Sequence, residues 1–267
     1  MLLCVVAGLV KGITQLQDVV YILCAESPEI IRFDAVTHDR LDDITVKDMS
    51  APQDIAACQQ TDQLYIADSP GAAAVACVWR VLAKKDGEDV ERLLPKSPSD
   101  KISPYALSVT SSRLLVTSLS ANQLTQFDAV GDELRRVDLP DDTKPSHAVE
   151  SPVGTFIVSH RDTQLNRWQV SEVDNGGQVL RQFSGSRLLP LGLTQHIAVD
   201  SQGNIFVADF DNSRVLLLDS QLALRRVIID EHQLKDKSPW RLCYMERTGQ
   251  LLVGLRGDIA VFDVLRR

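Results

Sequence analysis

HIAVDSQGNIFVADFDNSRVLLLDSQLALRRVI, from His196 to Ile228, packs a histidine and the carboxylates Asp200, Asp209, Asp211 and Asp219 into one short span. Acids so close together invite a metal. A calcium-binding loop needs Asp or Asn at alternate positions, a glycine and a distal Glu, so that the oxygens turn inward around the ion. Asp200-Ser201-Gln202-Gly203-Asn204 lacks the second acid and the Glu, and Asp209-Phe210-Asp211-Asn212 lacks the glycine. Asp, Asn and Gly are also what tight strand connections demand, and turn chemistry is the reading adopted.

Repetition decides the fold. Phe206-Val207-Ala208-Asp209 is echoed almost letter for letter by Tyr65-Ile66-Ala67-Asp68, and weaker copies start at Tyr21, Leu115, Ile157 and Leu252. Successive starts lie 42 to 50 residues apart. An apolar residue followed by Asp trails the start in four units, as Phe33-Asp34, Phe127-Asp128, Leu218-Asp219 and Phe262-Asp263. Short apolar runs precede it, as Ile55-Ala56-Ala57, Ala106 to Val109, Ala148-Val149 and Ile197 to Val199. "LRRV" at Leu134 and Leu224, with "LRQF" at Leu180, supplies a fourth run. Short runs separated by Gly, Asp, Asn and Ser read as antiparallel strands joined by tight turns.

Four strands per unit of this length are the arithmetic of a β-propeller blade. The expected fold is therefore all-β, a six-bladed β-propeller of four-stranded antiparallel blades forming a single domain over residues 1–267. The last unit lacks a strand, so the N-terminal segment from Met1 to about Gly8 is expected to close it. This reading explains the apolar start "MLLCVVAGLV" without export, since no charge precedes Lys11.

The stretch from His196 resembles the NHL repeat, whose pattern has an Ile-Ala-Val-Asp opening, a Gly-Asn turn, a strand ending Val-Ala-Asp, then Asn-x-Arg and a closing apolar-Asp pair. Here these are Ile197 to Asp200, Gly203-Asn204, Val207 to Asp209, Asn212 with Arg214, and Leu218-Asp219. Blade two departs most, with "SPGAAAVACVW" in place of the Asn-x-Arg turn. In tripartite-motif ubiquitin ligases, which the resemblance brings to mind, such a domain presents targets; this chain has no RING-type Cys and His spacing, so ligase activity is not implied. Some NHL propellers bind RNA.

Composition narrows the partner. Lys plus Arg number 28 against 36 Asp plus Glu, a formal net charge of −8, whereas nucleic-acid binders carry a basic excess or a basic face. Arg135-Arg136 and Arg225-Arg226 fall on outer strands and read as solvated edges that discourage strand pairing between molecules. The five cysteines, Cys4, Cys24, Cys58, Cys77 and Cys243, are odd in number, lack C-x-x-C spacing and sit among apolar residues. They read as buried thiols of a reducing, cytoplasmic compartment.

Counting back from each main strand to the start of the innermost strand gives Asp54, Tyr105, His147, His196 and Arg241, with Lys11 or Gly12 in the first blade. This set is the expected binding site at the mouth of the channel. His147 and His196 on adjacent blades also admit a metal-dependent lyase or hydrolase, as in the amidating lyase, whose fold is similar and whose channel zinc sits on three histidines. The third histidine is missing here, Asp54 would have to complete the site, and His160 reads as a surface residue. No catalytic residue, metal or cofactor is expected.

No nucleophile elbow, phosphate-binding glycine loop or H-E-x-x-H is present. Val173 to Val179 reads as a turn, and the polar insertion from Leu82 to Pro104 as a recognition loop. The expected function is a non-catalytic platform for a protein or peptide segment, without a membrane, the RNA-binding and channel-metal readings being the alternatives. Tyr105 and Arg241 are the anchors such a platform would use; Trp240 lies near the same mouth, but packing between blades is the commoner fate of a tryptophan.

Overall fold

The computed structural model describes residues 2–25, 27–71, 75–84, 87–97 and 102–264. Met1 of the expected closing strand, 72–74 of the departing blade-two stretch and 85–86 and 98–101 of the insertion lie outside them.

Along the chain come β1 (Leu2–Leu16), β2 (Val19–Cys24), β3 (Glu29–Asp34) and β4 (Arg40–Thr45). β5 (Pro52–Cys58), β6 (Gln63–Asp68), β7 (Cys77–Lys84) and β8 (Gly87–Leu94) follow. Next are β9 (Pro104–Thr110), β10 (Arg113–Ser118), β11 (Gln123–Phe127), β12 (Glu133–Asp138), β13 (Thr143–Glu150), β14 (Phe156–Asp162), β15 (Arg167–Val173) and β16 (Val179–Phe183). The last are β17 (Thr194–Val199), β18 (Ile205–Asp209), β19 (Arg214–Leu218), β20 (Leu224–Ile229), the one-turn helix α1 (Glu231–Leu234), β21 (Arg241–Met245), β22 (Gln250–Gly254) and β23 (Arg256–Asp263).

β5 to β8, β9 to β12, β13 to β16 and β17 to β20 form four separate antiparallel four-stranded sheets, each in sequence order. The rest make one seven-stranded sheet in the order β21-β22-β23-β1-β2-β3-β4. β1 serves both flanks of that sheet in turn: its first part, from Leu2 to Leu9, pairs with β23, and its second, from Val10 to Leu16, pairs with β2. This is an all-β propeller of antiparallel four-stranded blades.

The repeated motif occupies the second strand of each unit. β18 is buried at every position and β6 at all but its first. Such continuous burial arises because both faces of the strand are covered by neighbouring sheets. The core is accordingly a set of clusters between sheets. Leu16, Tyr21 and Leu23 pack against Ile55, Leu64 and Ile66, and Phe206, Ala208 and Val215 pack against Leu242, Leu251 and Val253. A further cluster joins Val10, Ile13 and Phe33 to Met245, Leu252 and Ile259, across the two flanks of the seven-stranded sheet.

The apolar-Asp landmark is turn chemistry. Asp34 Oδ1 accepts from the N–H groups of Val36 and Thr37, Asp128 Oδ1 from Val130 and Asp132, and Asp219 Oδ1 from Gln221 and Ala223. Asp174, within the stretch read as a turn, does the same for Gly176 and Gln178. A side-chain carboxylate thereby satisfies N–H groups that the reversal takes out of the ladder.

Two expectations are corrected. Much of the insertion is strand, because Gly87–Leu94 pairs along β7 as the fourth strand of its sheet. Its polar composition reports a solvent-facing outer strand, which sequence alone does not separate from a loop. His160 is buried, not on the surface: it ends the buried run of β14 at the position Asp209 holds in β18, and its Nε2 lies 2.8 Å from Ser171 Oγ. No described helix is long and apolar enough to cross a membrane.

Candidate channel site

Strands β1, β5, β9, β13, β17 and β21 are the innermost of their units, and in five of them the register with the second strand slips near the start. The slip falls between Val10 and Gly12, Pro52 and Asp54, Pro104 and Ala106, Pro145 and His147, and Thr194 and Ile197. An extra residue at such a place bends the strand and re-aims the side chains beside it.

Four of the five residues expected at the mouth converge. Asp54, His147, His196 and Arg241 are 1%, 2%, 7% and 2% exposed, so they are buried among the inner strands rather than exposed at a rim. Tyr105 is half-buried, in the slip of β9. The His147 and His196 ring centroids stand 3.8 Å apart with planes inclined by 30°. Asp54 Oδ2 lies 4.0 Å from His147 Nε2, and Asp54 Oδ1 lies 3.8 Å from Arg241 Nε.

Backbone groups, which no sequence pattern flags, complete the belt. Asp54 accepts from Ile55 N at 2.9 Å and Leu107 N at 2.9 Å, and His147 Nε2 lies 3.3 Å from the Leu107 carbonyl. Leu242 N approaches His196 Nδ1 at 3.4 Å. Arg241 donates to the carbonyl oxygens of Lys11, Trp240 and Gln53. Neighbouring inner strands are thus stitched together around the axis. Gly12 makes the approach of β1 to β5 possible, since a Cβ there would stand 2.7 Å from Ile55 N.

Burial governs the charges. It raises the Asp54 carboxyl to about 6, against the pull of the Arg241 charge and the two N–H donors. It pushes His147 down to about 3, helped by Arg241 and opposed by the Leu107 carbonyl. His196 falls well below its ordinary value through burial, His147 and Arg241, so both rings are neutral at pH 7. Lys11 is lowered by burial and then by Arg241. Trp240 is half-buried, edge-on to Phe210 at 5.2 Å, with the Arg241 guanidinium 5.7 Å from its ring centroid.

The acids of the opening stretch are structural. Asp200 Oδ1 accepts from Gln202 and Asn204 around Gly203, and Asp209 accepts from Gly192 N, Asn212 Nδ2 and Arg214 Nε. The outer-strand arginines are committed more deeply than a solvated edge implies. Arg135 reaches Glu150, Gln126 and Asn175 and lies over the Phe156 ring, while Arg181 pairs with Glu172 and Arg225 with Asp219. Cys24, Cys58 and Cys77 are buried free thiols and Cys243 is half-buried; burial raises Cys24 and Cys77 to about 11 and Cys243 to about 12.

Residue Leu188, unremarked in the sequence, is 95% exposed. It rides a turn closed by Ser186 N to Leu189 O at 3.0 Å and by a bridge between Gly185 and Pro190, while Leu189 and Leu191 pack into the core beneath.

Residues 195–216 match the NHL repeat family model. No curated protein matches the chain. Among solved structures it is similar to a gluconolactonase from Xanthomonas campestris, with TM-score 0.70 at 13% identity, covering 97% of this chain and 87% of that one. It is similar to a chain of a nidogen/laminin complex, with TM-score 0.65 at 16% identity over 89% and 85% of the two chains. The Cps50 (Swd1) β-propeller domain from Myceliophteria thermophila gives 0.64 at 13% identity over 96% and 83%. At such identities the likeness is one of fold. The chain thus carries one matched NHL repeat, at residues 195–216, within a fold shared with solved β-propellers.

Proposed function

We propose that the chain is a single-domain, six-bladed propeller over residues 1–267 serving as a non-catalytic, cytoplasmic platform for a protein or peptide segment. Six blades follow if the seven-stranded sheet counts as two that share β1, and the cluster between its flanks supports that count. The observation that carries the platform reading is Leu188, an apolar side chain almost wholly in water on a turn whose backbone is hydrogen-bonded and anchored. An apolar anchor held rigid in the free protein loses little entropy on binding, which is what a hot-spot residue needs.

The loop bearing Leu188 leads into β17, and inner strands all enter from one face, so Tyr105 and Trp240 share that face with it. Beneath them Asp54, His147, His196 and Arg241 act as the floor of the mouth. RNA is the less favoured partner, because the outer-strand arginines already meet acids and the chain carries a net charge of −8.

The test compares complexes captured by the wild-type chain with those captured by Leu188→Asp and Tyr105→Ala. Leu188→Asp leaves the core untouched and is expected to lose the protein captured by the wild type, with or without RNase. Capture that survives Leu188→Asp, or that RNase abolishes, overturns the reading.

A further inference from the structure

We propose that Asp54, His147 and His196 bind one divalent first-row transition-metal ion, which ties three inner strands together across the channel axis. The sequence argued against a metal because a third histidine is missing. The fold supplies a carboxylate in its place.

One donor atom from each of the three residues lies within 4.8 Å of the other two, and all three residues are buried. The donors come from β5, β13 and β17, so sequence neighbourhood did not bring them together. Two imidazoles and a carboxylate suit zinc, cobalt or iron(II), whereas calcium calls for six to eight oxygens.

The cluster has unmet coordination capacity. His147 Nδ1 is buried with no hydrogen-bond partner. Asp54 takes one N–H on each oxygen, from Ile55 and from Leu107, leaving lone pairs unused on both. Arg241 does not fill that role. Its donors go to the carbonyl oxygens of Lys11, Gln53 and Trp240, and its Nε stands 3.8 Å from Asp54, beyond hydrogen-bond reach. His147 thus carries one orphaned ring nitrogen while its other, Nε2, lies 4.0 Å from a half-satisfied carboxylate, and a coordinated cation would complete the set. Since burial keeps substrates away, the ion's role is a cross-link.

The full chain is to be expressed in zinc-supplemented medium, purified without chelator and assayed for bound metal. One equivalent of Zn2+ is expected in the wild type, lost in His147→Ala and His196→Ala and kept in His232→Ala, whose side chain is 86% exposed. Chelation should lower the melting temperature of the wild type by several degrees, Zn2+ should restore it and Mg2+ should not. Loading the wild type with Co2+ gives a readout independent of any variant: visible bands stronger than those of aqueous Co2+, bleached by Zn2+. Absence of the equivalent, its retention in both channel variants, or a Co2+ spectrum like that of the aqueous ion overturns the proposal.

Discussion

His160 of β14 and Asp209 of β18 hold equivalent places in successive sheets and are both buried, yet they are satisfied differently. His160 Nε2 meets Ser171 Oγ at 2.8 Å, while Asp209 Oδ2 accepts from Arg214 Nε at 2.7 Å. The position is the last inward one of the second strand. Its side chain is removed from water whatever its chemistry, and each unit has supplied a different partner.

The first prediction concerns pH. Burial lowers His160 to about 4, against the raising influence of Asp162, the Arg161 backbone and Asp142. An unfolded histidine titrates near 6.5, so between about pH 6.5 and 4 the unfolded chain binds more protons at this site. Stability should therefore fall as pH drops through that window, by up to roughly 3 kcal/mol from this residue. Denaturant midpoints measured from pH 7.5 to 4 on the wild type and on His160→Gln test it; an equally steep fall in the variant removes His160 as the cause.

Asp209→Ala should be costly. It frees Gly192 N and takes the carboxylate away from Asn212 and Arg214, leaving them the Pro190 carbonyl. A loss of about 3 kcal/mol is expected in equilibrium unfolding, against under about 1 kcal/mol for Lys47→Ala at an exposed site.

Replacing Arg241 by Met should remove the donors to Lys11, Gln53 and Trp240 and leave three carbonyls unsatisfied, at a cost of about 3–5 kcal/mol. Arg241→Lys should recover only part of this, because one ammonium cannot reproduce the planar fork. Full recovery by Lys in chemical denaturation would show that charge alone matters.

Deleting residues 1–8 should unpair β23, whose partners in β1 include Leu2, Cys4 and Val5. The bared edge invites pairing between molecules, and the loss of main-chain bonds should lower the melting temperature by about 10 °C. Calorimetry and light scattering check both effects, and an unchanged midpoint with unchanged solubility would contradict the closure.

The sequence by itself determined the unit length, the four runs per unit and the aspartates that open the turns, because strand alternation and turn chemistry are local and repeat with the blade. It also placed Asp54, His147, His196 and Arg241 at like positions of their units, since equal offsets within a repeat mean equal places in the fold. Tertiary structure decided what those positions do. The slips near the start of β5, β13 and β17 shift the phase of alternation beside Asp54, His147 and His196, and no pattern of residue types marks such a slip. Neighbouring sheets, remote along the chain, decided that Asp54 meets Leu107 and Arg241 meets Gln53. The exposure of Leu188 beside half-buried Leu189 and buried Leu191 was likewise settled by the path of one turn, since the three leucines are chemically the same.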